Sequence, residues 1–444
     1  MEIKLPITVR FILDKLQSNG YEAYIVGGCV RDSLIGFAPH DWDICTSALP
    51  EQICDVFSDY KIIPTGIQHG TVTVLIEDSG ISHFYEITTY RVDGEYKDNR
   101  HPESVEFVSS LEQDLSRRDF TINAMAYNPK TGLIDLFDGA KDIENRIIRC
   151  VGNPKERFSE DALRILRALR FALRFNYKID NDTLSAMDQC SELLKNISIE
   201  RVNSELTIIL IREIKPHSQK VIDFIYEDKR LQFGKLFDYL QMIIPFELDI
   251  DNDKLFERLW NQDTDDDLVV NMAIVFDNPE IRDILKYLKY SNEYVDTISQ
   301  TWKLGHQIFD DMDCWIIDAT KIQKDDSWNN NISKYYCRLL LSQADKSDIC
   351  SIIEFASSLV SPDNELRTEW LPRLDVAVEI CLKRNEVYRL KDLAINGNDL
   401  KGLGFQGREI GIILNGLLDL VMQDRVNNNH DDLIIAIPQV IIDE

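Results

Sequence analysis

Two carboxylates one residue apart, in Asp41-Trp42-Asp43, follow the segment Gly27-Gly28-Cys29-Val30-Arg31-Asp32 after a short intervening stretch. On a strand, residues two apart project to the same face. The spacing therefore predicts Asp41 and Asp43 side by side, with Trp42 turned to the packed face. Adjacent carboxylates repel unless a cation lies between them, and Mg²⁺ suits such a pair because it takes oxygen ligands and bridges phosphates. Two such ions could activate an attacking hydroxyl and stabilise a leaving pyrophosphate. The glycines let the backbone approach a triphosphate at Gly28, the helix start that follows offers free N–H groups, and Arg31 adds a fixed charge. Alone, an Asp-x-Asp pair is as readily an ordinary exposed strand end. Joined to the glycine-arginine segment, it points to metal-bound phosphoryl chemistry on a nucleoside triphosphate.

A second cluster lies further along. The 3.6-residue period predicts a helix over Glu160–Phe175, with Ala162, Ile165, Leu166, Leu169, Ala172 and Leu173 on its apolar face. Arg164, Arg167, Arg170 and Arg174 fall together on another face, with Asp161 at its edge. A solvated strip is one reading, in which an Asp–Arg pair contributes ~0.2–0.5 kcal/mol. Four arginines without interleaved Lys or Glu repel one another, and a phosphate ligand would relieve that strain, since Arg forks match phosphate oxygens.

The elements that must position these residues alternate at first. A helix is expected over Ile7–Leu16, stopped by Asn19-Gly20, with strands over Tyr21–Val26, Asp41–Cys45, Thr71–Ile76, His83–Tyr90 and Val105–Val108. Glu86, on one of these strands, is a candidate third carboxylate or an ordinary exposed residue. The polar stretch Arg91–Pro102 reads as a mobile loop, and Asp325–Asn331 as a surface loop. From Phe158 onward nearly everything reads as helix. The expected class is α+β: a head with a mixed sheet at 1–150, a helical neck at 151–215, a helical body at 216–310 and a helical tail at 311–444.

Composition narrows the setting. A net charge of −27 argues against nucleic acid as a partner, but the charge is polarised. Lys141–Lys178 holds ten Lys/Arg against five Asp/Glu, whereas Phe246–Asp283 is heavily acidic. No apolar run approaches the roughly 20 residues needed to cross a bilayer. An early Glu2 and no apolar leader predict a cytoplasmic chain. The nine cysteines are scattered without zinc spacing and are expected to be free thiols. His430-Asp431 has no second His cluster nearby and is expected to face solvent.

The glycine-arginine and Asp-x-Asp segments resemble those of the class II tRNA nucleotidyltransferases, the CCA-adding enzymes, and their relatives the bacterial poly(A) polymerases. Further segments match in the family's order: Thr65–Val74 after the metal motif, Arg117–Ala126, Asp135–Gly139, Glu160–Arg164, and Glu200-Arg201 with Glu205. Together they span nearly half the chain. The tail, Lys391–Leu400 and Gly404–Leu414, is similar to that of CCA-adding enzymes from Gram-positive bacteria. The resemblance implies addition of C, C and A to the 3′ end of tRNA from CTP and ATP, with Mg²⁺ held by Asp41 and Asp43. It places Arg118 at the nucleotide, gives Asp161 and Arg164 the base edge, gives Arg167 and Arg170 a supporting role, and lays tRNA along neck and tail. The rivals are an enzyme adding only A or only CC, a poly(A) polymerase, and a catalytically silent tRNA-binding protein. A full-length Arg91–Pro102 loop weakens the CC-only rival.

Overall fold

The computed structural model describes residues 2–63, 66–78, 80–93, 105–212, 222–248, 251–260, 267–310, 331–360 and 371–442. The expected loops at Arg91–Pro102 (from 94 on) and Asp325–Asn331 (up to 330) lie outside the described residues, as does Thr65. The chain forms two compact units, Met1–Glu247 and Leu248–Glu444. The boundary expected at 150 falls inside the first unit, and that at 215 lies outside the described residues.

The first unit opens with helix α1 (Ile7–Ser18), which Asn19 and the left-handed Gly20 close. Seven strands then build one mixed sheet in the order β3-β4-β5-β2-β1-β8-β9. They are β1 (Ala23–Val26), β2 (Ile44–Thr46), β3 (Lys61–Ile63), β4 (Thr71–Asp78), β5 (Ile81–Thr89), β8 (Met125–Asn128) and β9 (Gly132–Asp135). Only the β2–β5 pairing is parallel. A separate two-stranded ribbon joins β6 (Arg91–Asp93) to β7 (Val105–Phe107).

Alternation along the strands sorts the two faces. Ile25, Ile44, Val72, Val74, Tyr85 and Ile87 enter a core shared with Val9, Ile12, Leu13 and Leu16 of α1, and with Ile53 and Phe57 of and beside α3 (Pro50–Val56). Tyr24, Val26, Cys45 and Ala126 point the other way, against Tyr90 and Leu115 of α4 (Leu111–Ser116). That second face is thus covered over β1, β2 and β8.

The neck follows as α5 (Gly139–Asn145), β10 (Ile147–Ile148), α6 (Pro154–Glu160), α7 (Leu163–Phe175), β11 (Lys178–Ile179), α8 (Asn181–Cys190), α9 (Ile199–Arg212) and α10 (Ile222–Ile243). Asn153 caps α6 through the Lys155 N–H, with Pro154 at the first helical position. One expectation is corrected here: Glu160–Phe175 is not a single helix. Asp161 is extended (φ −145°, ψ 101°), so the chain leaves α6 and re-enters helix only at Leu163. The second unit is helical throughout its described elements, with cores around Ile352 and Leu417. The described cysteines are all free, and no helix among the described residues is long and apolar enough to cross a membrane.

Candidate active site

Gly27 stands at the end of β1 with φ +77° and ψ −126°, a conformation that a side chain would strain. A Cβ there would also lie 2.8 Å from the Arg118 guanidinium. The conformation turns the chain from β1 directly into α2 (Gly28–Ile35). The Val26 N–H donates to the Asp43 carbonyl (3.0 Å) and the Gly27 N–H to the Met125 carbonyl (3.1 Å). Glycine turn and carboxylate segment are thereby stitched together by backbone. It is Gly27 rather than Gly28 that needs to be glycine, because Gly28 has ordinary geometry and meets only Arg31, at 3.5 Å.

Asp41 and Asp43 are exposed and Trp42 packs against the head core, as the spacing requires. They precede β2 rather than lying on it, which corrects the expected Asp41–Cys45 strand. Asp43 keeps solvent access, yet the surrounding protein raises its pKa, and Glu86 and Asp41 push the same way while Arg118 opposes them. Glu86 is therefore close enough to act on Asp43; it sits on β5 beside Ile87, which pairs with Ile44. Arg118 donates weakly to Asp114 (3.4 Å) and the Asn123 carbonyl (3.5 Å), and its enclosed Nε has no hydrogen-bond partner among the described residues. Of the arginines singled out in the sequence, this one borders both Gly27 and Asp43.

The remaining arginines are engaged within the protein. Arg31 is 4% exposed; it bonds Asp32 (2.8 Å) and Asn123 Oδ1 (2.5 Å), and lies over the rings of Phe171 and Phe175. Burial lowers its pKa, against the pull of Asp32. Its fork packs against Phe171 and Phe175 of the neck, with Nη2 also 3.5 Å from where a Cβ on Gly28 would lie. Arg167 forks onto Asp119 (2.9 and 2.7 Å), Arg170 bonds Glu205 (2.6 Å), and Arg174 reaches Asp32 at 3.9 Å. Arg164 bonds Glu160 (2.7 Å) and the carbonyls of Arg117 (3.0 Å) and Arg157 (3.2 Å). The exposed, self-repelling strip expected from the period does not form. Arg164 and Arg170 are buried; Glu160 neutralises Arg164 from one turn before, and the carboxylates on Arg167, Arg170 and Arg174 come from elsewhere in the chain.

Asp119 is the hub that sequence reasoning did not single out. It is 9% exposed and accepts from the Phe120 N–H (2.8 Å), Asn123 Nδ2 (3.0 Å) and Arg167. Burial works against its charge, but Arg167 and these donors outweigh it and hold the carboxyl at about 2. Asp161 is likewise held: Arg201 Nη1 and Nη2 donate to its two oxygens (3.1 and 2.7 Å), and the Leu163 N–H adds a third bond (3.1 Å). In place of the Asp–Arg pair of the solvated-strip reading, the structure forms Asp161–Arg201 and Glu160–Arg164. The only advance signal for Arg201 was its place in the motif with Glu200 and Glu205. His430 and Asp431 are exposed, as expected.

Two family models match parts of the chain: the poly A polymerase head domain over residues 23–149, and the probable RNA- and SrmB-binding site of polymerase A over 176–217. The CCA-adding enzyme of Ligilactobacillus salivarius is 35% identical over 427 residues, covering 95% of this chain and 94% of its own. That of Pediococcus pentosaceus is 32% identical over 446 residues, with 98% of each covered. The fold matches a crystal structure of the Bacillus stearothermophilus CCA-adding enzyme in complex with CTP, with a TM-score of 0.71, 26% identity and 98% of both chains covered. Sequence and fold agree end to end, and the chain belongs to the CCA-adding enzyme family of tRNA nucleotidyltransferases.

Proposed function

We propose that this chain adds C, C and A in turn to the 3′ end of tRNA from CTP and ATP, releasing pyrophosphate and using no template. The observation that carries the reading is Arg118, a cation whose enclosed Nε has no partner among the described residues, set between the glycine turn at Gly27 and the exposed Asp41 and Asp43. A triphosphate lying along that turn meets backbone N–H groups and a guanidinium on one side and paired carboxylates on the other. Like charge around Asp43 is what a divalent cation would relieve, and Mg²⁺ characteristically takes one or two carboxylates together with substrate phosphates. Asp41 and Asp43 would hold it. When bound, the ion neutralises charge on the reacting phosphate and the leaving pyrophosphate.

The chain's own groups do the positioning. Arg118 and Gly28 hold the triphosphate. Asp161, fixed by Arg201, accepts from an exocyclic amine, a group that C and A both carry where U and G carry none. Arg164 spends two N–H groups on Glu160 and Arg157 and one on Arg117, which leaves part of its five-donor fork for the base. Arg167 and Arg170 act through Asp119 and Glu205, keeping α7 and α9 in register with the head. Arg31, placed at the triphosphate by sequence, supports the site from beneath through Asn123. On this reading residues 1–150 carry the chemistry, 151–215 the base choice, and neck and tail the RNA, in a cytoplasmic setting.

The test is direct. The protein is incubated with Mg²⁺, one labelled nucleotide at a time, and tRNAs lacking the whole CCA end, its last two nucleotides or only the terminal A. C should enter the first two and A the third. Long A tracts, or A on every acceptor, would favour a polymerase; addition of A alone or C alone would favour a partial enzyme.

A further inference from the structure

Asp43 stands just before β2, level with Glu86 of the neighbouring β5, and the sheet face that bears Glu86 continues along β5. In β5, Tyr85 and Ile87 enter the core, so Phe84, Glu86 and Thr88 project to the opposite face. The register places Ile63, Thr73 and Glu86 in one cross-strand row and Lys61, Leu75 and Phe84 in the next row out. Phe84 is 62% exposed, Leu75 is half-buried and Lys61 is exposed. Among the described residues Lys61 makes no ion pair. Phe84 precedes Glu86 along the strand by roughly 6.7 Å, two residues of rise, and Glu86 in turn acts on Asp43. An open aromatic, a flanking aliphatic and a free cation on a sheet compose a platform for single-stranded nucleic acid, with a base on the ring and a phosphate at the ammonium. The neck side of the site already has Asp161 and Arg164 for the incoming base, so this row is left for the other reactant.

We propose that Phe84 is the stacking platform for the unpaired acceptor end of the RNA, with Lys61 at its backbone, presenting the terminal 3′-hydroxyl towards Asp41 and Asp43. The proposal rests on the transfer reading above and makes Phe84 a positioning residue. Being exposed, it can be truncated without opening the core. The variant F84A should raise KM for tRNA lacking CCA by roughly 5- to 150-fold, the worth of one stacked base, while KM for CTP stays unchanged. F84W should restore the wild-type value. An acceptor whose last nucleotide is abasic should cost the wild-type enzyme the same factor and cost F84A nothing further, because both remove one contact. An unaltered RNA KM in F84A, a shift in the CTP KM instead, or losses that multiply in the combination would overturn the platform. A wild-type chain that transfers nothing would overturn the transfer reading, and the platform with it.

Discussion

Arg201 closes on Asp161 with hydrogen bonds of 3.1 and 2.7 Å at the point where the chain has left α6 and not yet entered α7. A carboxylate on a non-helical link would otherwise sample several directions. A two-pronged guanidinium fixes one, as a base-reading group requires. Replacing Arg201 with Ala should therefore erode selectivity more than turnover. Charge-assisted bonds are each worth about 1.5–3 kcal/mol, so the ratio of kcat/KM for CTP over UTP should fall by roughly 10- to 100-fold. Competition assays with both nucleotides on tRNA lacking CCA measure it, and an unchanged ratio would mean that Asp161 is not held for base choice.

That link also marks the limit of what the sequence discloses. The apolar period runs unbroken from Ala162 to Leu173, so nothing local reveals that Asp161 is extended. The arginine row was legible, but its partners were not: Asp119, Glu205 and Asp32 arrive from segments 48, 35 and 142 residues away. Periodicity reports which face a residue occupies, not what tertiary structure lays against that face. Asp41, Asp43 and the glycine turn were read from the sequence because their geometry is local. Even there the burden fell on Gly27, whose positive φ is a property of the turn, and not on Gly28.

Gly27→Ala tests that distinction. A side chain at φ +77° and ψ −126°, outside even the left-handed helical region, costs about 1–3 kcal/mol, and its Cβ would displace the Arg118 guanidinium. Stability should fall by about that amount, and KM for CTP should rise by roughly tenfold or more, since a displaced phosphate contact is charge-assisted. Gly28→Ala should leave the stability nearly unchanged. Chemical denaturation and nucleotide titrations separate the two variants.

Arg31 behaves oppositely if it supports rather than binds. Removing one partner of a buried, hydrogen-bonded charge pair costs about 3–5 kcal/mol. Arg31→Met should lose stability on that scale while the fraction still folded at low temperature keeps the wild-type KM for CTP. A stable variant with a raised KM would return Arg31 to the triphosphate.

The Asp119 hub predicts a pH dependence with a definite sign. Its carboxyl sits at about 2 in the folded chain, below the unfolded value of about 3.9. The stability it contributes is complete above pH ~4 and is lost as the pH falls towards about 2, amounting to about 2–3 kcal/mol. Urea denaturation of the wild type should show that loss, and Asp119→Asn should start lower at neutral pH and lose less across the same window. Parallel curves for the two proteins would remove Asp119 from its place as the head–neck hub.

The most direct measurement is the sequence of the product. tRNA ending before its CCA is incubated with the wild-type protein, Mg²⁺ and all four nucleotides, and the new 3′ ends are read. The account predicts C, C, A and then no further growth, with no addition at all by Asp41→Ala protein shown by circular dichroism to be folded. Tracts of A, uridine or guanine in the added end, or transfer that survives Asp41→Ala, would contradict it.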